Sequence, residues 1–267
     1  MTRGVVRRPL IGLLIPAALA LLFIGVPLIG LLSNVSWGSL PAALTSSDVL
    51  TALRLSMECS LLALGIALII GVPLAYVLAR TDLPGRRFIR ALVLLPLVLP
   101  PVVGGIALQT AFGRASPIGS FLYHVFGVTL PFSTAGAALA EAFVAFPFLV
   151  ITLEAGLRQR DERFEEAAAT LGAGPWRRFW RVTMPLLAPS LAAGGALCWA
   201  RALGEFGATI TFAGSFPGTT QTLPLAAYSA FEGSGEVGRA ITLSFILLVI
   251  SVAVLLGLRE RWLARAL

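Results

Sequence analysis

A chain of 267 residues that is 57% hydrophobic and 12% charged carries only about half the charge of a soluble domain, so it cannot coat a water-facing surface and reads as an integral membrane protein. Its net charge is +7 and all 20 basic residues are Arg; without Lys there is no phosphate-gripping P-loop and no Schiff-base or pyridoxal chemistry. One histidine, His124, and two cysteines inside apolar runs, Cys59 and Cys198, leave no ligand set for an ordinary zinc site.

Six apolar runs reach the roughly 20 residues needed to cross about 30 Å of hydrocarbon. They are 10–32, 55–79, 89–113, 134–157, 185–213 and 237–258, within one transmembrane domain over 1–267. The first follows "MTRGVVRRP", which resembles the n-region of a signal peptide. Its run exceeds the length of an h-region and no A-x-A site follows, so a retained span is expected. The third contains "LLPLVLPPVVGG", with Pro96, Pro100, Pro101, Gly104 and Gly105. Such a helix must kink, and its freed carbonyls need neighbours or water; a bend around a pathway and a packing kink both satisfy this.

Sixteen of the 20 arginines fall in four segments. The N-terminus has Arg3, Arg7 and Arg8, and the loop after the second span has Arg80, Arg86, Arg87 and Arg90. The loop after the fourth has Arg158, Arg160, Arg163, Arg177, Arg178 and Arg181, and the tail has Arg259, Arg261 and Arg265. Six spans put all four segments on one side, and the positive-inside rule makes that side, with both termini, cytoplasmic.

Within that side lies a charged loop, 161–184, whose core reads "EEAAATLGAGPWRRFWRVTMP" from Glu165 to Pro185. Phe164, Ala167, Ala168 and Leu171 recur at helical spacing, after Asp161 and Glu162 and before Gly172 and Gly174. Pro175 suits the start of a second helix with Trp176, Phe179 and Trp180 as its stripe; Arg177, Arg178 and Arg181 turn away, and Pro185 marks entry to the fifth span. Helices this short are marginal alone, so their stripes must dock. The Trp-rich helix suits the membrane interface, whereas the Ala-rich face suits a groove in a soluble partner.

In the fifth span Arg201 and Glu205 stand one turn apart. An ionisable group at membrane depth costs roughly 2.5–3.5 kcal/mol on insertion scales, so each should face the bundle interior and find a partner. Two readings remain open: an intrahelical ion pair that holds the bundle, or a guanidinium that helps an oxyanion along a pore while Glu205 holds its pose. Gly204, Gly207 and Ala208 permit close helix approach, and Thr209 and Thr211 are candidates for an outer vestibule or gate. Arg54 and Glu58 are expected to form a surface pair or a partner contact, and Glu141 and His124 to belong to a solvated rim.

The run "EAAATLG", with Pro185 thirteen residues after Gly172, is similar to the E-A-A-x-x-x-G loop of ABC importer permeases. The resemblance implies that Glu166, Ala167, Ala168, Gly172 and Pro185 belong to coupling helices seated in a cleft of a separate ATPase subunit, which binds the ATP; this chain then holds no cofactor. Met184 stands where the family often has Leu, a volume-conserving change. The stretch "ARALGEFGATITFAGSFPGTTQTLPLAAYSAF" (200–231), with "LPLVLPPVVGGIAL", resembles molybdate ABC permeases and, less closely, the sulfate/thiosulfate ones. The implied fold is all-α and integral to the membrane, with six transmembrane helices of the type I importer kind plus cytoplasmic coupling helices. The implied partners are two ATP-binding cassette subunits, an extracytoplasmic molybdate-binding protein and the lipid bilayer, with no nucleic acid. One coupling loop and no internal repeat, set against two ATPase sites, imply a homodimer. The tail "RERWLARAL" suggests that no regulatory domain follows the last span. The alternatives are a tungstate or sulfate/thiosulfate permease, a secondary transporter driven by an ion gradient, and a membrane enzyme, for which no nucleophile–base set is visible.

Overall fold

A computed structural model describes residues 11–233 and 236–266, and among these the chain is helical without strands. Arg3, Arg7 and Arg8 lie outside the described residues, as do the side chains of Arg259, Arg261 and Arg265.

The first helix, α1 (Ile11–Ser33), accommodates Pro16 and Pro27 and leaves nearly all its side chains exposed; its main contact is with the last helix. A short α2 (Leu40–Leu44) leads into α3 (Ser47–Arg80). The 34 residues of α3 extend about 50 Å, so it outruns the hydrocarbon, and it starts eight residues before the predicted position 55. The predicted span 89–113 is two helices, α4 (Arg86–Val98) and α5 (Pro101–Phe112), bent by 116°. The cause is the Pro100–Pro101 pair. Each proline forces its predecessor out of the helical region, and both Leu99 and Pro100 sit at ψ 134°.

After α6 (Pro117–Phe126), capped by Ser116 and closed by Gly127 at φ +67°, comes α7 (Thr134–Gln159), capped by Ser133. α7 is the axis of the molecule, packed on α3 and on α10 (Met184–Leu203). Half of its buried residues are Ala or Gly, which lets backbones approach where no hydrophobic force drives helices together. Gly156 sits against Ser190 of α10, Gly194 against Thr152 of α7, and Gly71 of α3 against Leu149. Ala63, Ala67, Ala145, Leu149 and Leu153 are wholly buried between these helices.

Between α7 and α10 lie α8 (Arg163–Thr170) and α9 (Pro175–Arg178). α9 runs through a π-helical turn, Phe179–Thr183, directly into α10. The fifth span therefore begins at Pro175 rather than Pro185, and it ends at Leu203 rather than 213. Gly204–Phe206 break it, and α11 (Gly207–Phe212) is a separate short helix. α12 (Leu223–Glu232) was not expected; it starts with Pro224 in its first turn, stops at Gly233, and packs on α3 and α13 (Val237–Ala266).

Among the described residues five helices are long and apolar enough to cross a membrane, and six segments are if the bent α4–α5 pair counts as one. The ends of α3 and α7 lie together, because Arg80 pairs with Glu162 just beyond α7. The start of α7 lies beside the middle of α3, where the Cys59 thiol donates to the Thr134 carbonyl at 3.8 Å. The chain from Arg86 to Thr134 must therefore travel from one side toward the other, as a sixth crossing requires.

A Cβ at Gly156 would overlap the Ser190 side chain, whereas one at Gly65 meets nothing within 4 Å. Gly156→Leu is expected to cost about 1–3 kcal/mol by overpacking, and Gly65→Ala to be neutral or slightly stabilising. Thermal unfolding of both variants in detergent checks the contrast.

Candidate functional site

Two clusters at opposite ends of α10 draw together the functional candidates. The first is the charged loop. α8 carries Glu166, Ala167 and Ala168, and ends with Gly172 at φ +82°. There the Gly172 amide bonds the Ala169 carbonyl and the Ala173 amide bonds the Ala168 carbonyl, each at 2.9 Å. This reciprocal closure needs a left-handed residue, which is why glycine stands there. Pro185 lies in the first turn of α10, past the π turn.

The acidic side of α8 is tied down. Arg80, with its side chain only 8% exposed, pairs with Glu162 at 2.6 Å and with Glu165 at 3.6 Å. The Thr183 hydroxyl, inside the π turn, donates to Glu165 at 3.0 Å. Next to it Glu154 of α7 accepts from Arg90 of α4 and from Arg158. These ties turn the other side of α8 outward. Leu171 is 87% exposed and Phe164 59%, and Ala167 is also exposed. The apolar stripe thus docks on nothing among the described residues. The tethers escaped the sequence reading because their members are 18 to 85 positions apart.

The second cluster lies at the far end of α10. Arg201 and Glu205 form an ion pair at 2.6 Å, their side chains 29% and 1% exposed. Glu205 also accepts from the Ala208 amide at 2.9 Å, which closes the start of α11 across the break. Thr209 is fully buried and its hydroxyl has no partner among the described residues. The Thr211 hydroxyl donates to the Gly207 carbonyl at 2.8 Å and faces Gly105 of α5. Gly207 in turn lies against Pro101, so α5 and α11 pack closely through small residues. Behind Thr211, Thr220 bridges the Phe216 amide and the Gly214 carbonyl, and Ser56 of α3 accepts from the Leu223 amide at 2.7 Å.

Glu141 corrects the sequence reading. It is 1% exposed and one carboxylate oxygen has no partner among the described residues. It sits two turns inside α7 on the buried face shared by Ala137, Ala138 and Ala145, so it belongs to the bundle rather than to a solvated rim. Its position from the start of the span gave depth but not which face meets the neighbours. His124 is exposed at the end of α6. Arg54 and Glu58 form the expected exposed pair at 2.6 Å.

The arrangement does two things chemically. It holds a neutral Arg–Glu pair at a helix break, with the cation's side open and the anion's side closed. It also presents an unpaired apolar helix face at the opposite end of the same continuous helix.

A family described as "Binding-protein-dependent transport system inner membrane component" matches residues 67–267. The chain is 45% identical over 247 residues to the molybdenum transport system permease protein ModB of Mycobacterium tuberculosis, covering 92% of each. It is 39% identical over 188 residues to a probable sulfate transport system permease protein cysT of Chlorokybus atmophyticus, covering 70% of this chain and 65% of that one. A solved bacterial alginate ABC transporter, in complex with an alginate pentasaccharide-bound periplasmic protein, has a chain of the same fold. Its TM-score is 0.74 at 17% identity, covering 93% of this chain and 92% of that one.

Glu205 does two jobs that substitution can separate. Glu205→Gln keeps an acceptor for the Ala208 amide and loses the charge opposite Arg201; Glu205→Ala loses both. Loss of the pair is expected to cost about 1–3 kcal/mol, because Arg201 keeps access to water. The further loss in the alanine variant is about 1 kcal/mol, that of a helix cap. The two melting temperatures in detergent, read against wild type, give the order.

Proposed function

The chain belongs to the binding-protein-dependent inner membrane components, the permeases of ABC importers, and within them to the molybdenum-transport permeases; from this we propose that it forms the gated path of an ATP-driven molybdate importer. In this reading two copies sit on two separate ATP-binding cassette subunits, which bind and hydrolyse the ATP. An extracytoplasmic molybdate-binding protein delivers the anion. Both termini and the charged loop face the cytoplasm, in keeping with the clustering of arginines there.

The observation that carries the reading is α8. Its apolar stripe is open, its acidic side is fixed to α3 and to the π turn, and Gly172 sets its end. A helix held on one side and apolar on the other is suited to a groove in a soluble partner. A push on α8 passes through Glu165 and Thr183 into the π turn, and α10 continues from there without a break to Arg201. The 20 residues of α10 span about 30 Å, so one rigid element joins the ATPase side to the charged pair.

At that pair an entering oxyanion meets the partly exposed guanidinium while Glu205 stays shielded behind it. Because the pair is neutral as a whole, Arg201 lowers the barrier for a dianion without trapping it. Selection among anions then rests with the binding protein, and molybdate and tungstate, alike in size and charge, pass alike. The higher identity to the molybdenum transport permease ModB of Mycobacterium tuberculosis than to the sulfate permease of Chlorokybus atmophyticus, 45% against 39%, supports molybdate over sulfate.

ATPase activity of the reconstituted permease, ATPase and binding protein, titrated with molybdate, tungstate and sulfate, tests this. Stimulation by the first two alone is expected. Stimulation by sulfate would move the substrate, and stimulation by none of the three would overturn the reading.

The loop has its own test. Proline holds φ near −65° and has no N–H, so at Gly172 it can neither adopt φ +82° nor bond the Ala169 carbonyl. Gly172→Pro is expected to lower anion-stimulated ATPase activity at least about tenfold, while Gly172→Asn, which tolerates the left-handed region, retains most of it. Full stimulation in the proline variant would remove α8 from the coupling path.

A further inference from the structure

Beside the π turn lies a groove of about 660 Å³ that no part of the bundle fills. Leu68, Val72 and Tyr76 of α3 form one wall, and Trp176, Phe179 and Trp180 form the other. Phe179 packs edge-on against Tyr76 at 5.3 Å and against Trp180 at 5.1 Å, which gives the groove an aromatic floor. Trp176 and Trp180 are 74% and 59% exposed at its mouth. A π turn carries one residue more per turn than an α-helix, and such turns concentrate at functional sites.

The arginines beside the groove differ from several others on this side of the molecule in having no carboxylate partner among the described residues. Arg80, Arg90, Arg158 and Arg163 each face a carboxylate. Arg177, Arg178 and Arg181, all within five positions of the groove's own helix, form no ion pair among the described residues, and the buried Nε of Arg178 has no hydrogen-bond partner. Helical spacing sets Arg177 and Arg181 one turn apart, on the flank of the Trp176–Trp180 face. Three uncompensated guanidinium groups call for an anion, and an open apolar groove at the membrane interface calls for a hydrocarbon chain. One molecule supplies both.

We propose that this groove holds an acyl chain of an anionic phospholipid whose phosphate is bound by Arg177, Arg178 and Arg181. Guanidinium suits phosphate by its fork of donors, basic pockets at helix ends are known to take lipid headgroups, and Trp anchors at the headgroup level. The bound lipid braces the junction of α9 and α10 from the membrane side. The site requires only that the chain lies in a bilayer and does not depend on which anion is carried.

The chain has five tryptophans. With Trp37, Trp199 and Trp262 replaced by Phe, only Trp176 and Trp180 report. In bilayers with acyl-brominated lipid, brominated phosphatidylglycerol is expected to reach half-quenching at a several-fold lower mole fraction than brominated phosphatidylcholine. Arg177→Gln, Arg178→Gln and Arg181→Gln together should abolish that difference. Native mass spectrometry of the otherwise unmodified permease provides a second readout, with one phosphatidylglycerol retained per chain and lost in the triple arginine variant. Equal quenching by the two lipids would reduce the groove to ordinary lipid contact. Absence of quenching by either would mean that a protein, the ATPase or a second copy, covers it. Either result overturns the proposal.

Discussion

Hydrocarbon offers a broken helix no water, so every interruption at membrane depth has to be closed by the protein itself. Among the described residues two such interruptions, at Leu99–Pro100 and at Gly204–Phe206, are closed against each other. Prolines at 100 and 101 remove two amides that would otherwise need partners. Glu205 takes up the Ala208 amide at the second break. The short helices that follow, α5 and α11, then pack face to face through Gly105, Gly207 and Pro101. Much of the unusual composition of the third and fifth spans follows from this one requirement.

The same economy explains why Arg201 and Glu205 are tolerated. Glu205 serves the backbone and Arg201 at once: one oxygen accepts from the Ala208 amide and the other faces the Arg201 guanidinium as an ion pair. At the other end of α10 ion pairs serve a different purpose. Arg80 and Glu165 are largely shielded from water and only Glu162 is exposed, and together they fix the orientation of α8 and so decide which of its faces is left open.

What could be read from the sequence was what depends on near neighbours. Arg201–Glu205 and Arg54–Glu58, each four apart, pair as spacing demands. Gly172 ends α8 because glycine before a loop signals a left-handed close. The prolines of the third span announced a kink, although its 116° exceeds anything spacing can state. What stayed hidden depends on which helix faces meet. Glu141 lay at the right depth, but only the packing of α7 shows that its face is the buried one. The π turn has no periodic signal, since its aromatic stripe fits an α-helix as well. α12 was masked by the hydroxyl-rich run before it, and the Thr183–Glu165 and Arg80–Glu162 ties join positions that no window contains.

These placements bear on how work done at one end is felt at the other. A lever must be stiff along its length and free at its tip. α10 is stiff where α7 packs against its Leu187, Ser190 and Gly194, and it loses its continuity at Gly204, one turn after Arg201. A tilt of α10 would therefore move Arg201 with the lever, while α11, held by α5, stays behind. Glu205 belongs to both parts, bonded to Arg201 on one side of the break and to Ala208 on the other. In the proposed importer, any relative motion of the two helices would have to stretch one of those contacts, so this carboxylate would be the point where movement of the loop and exposure of the guanidinium are joined.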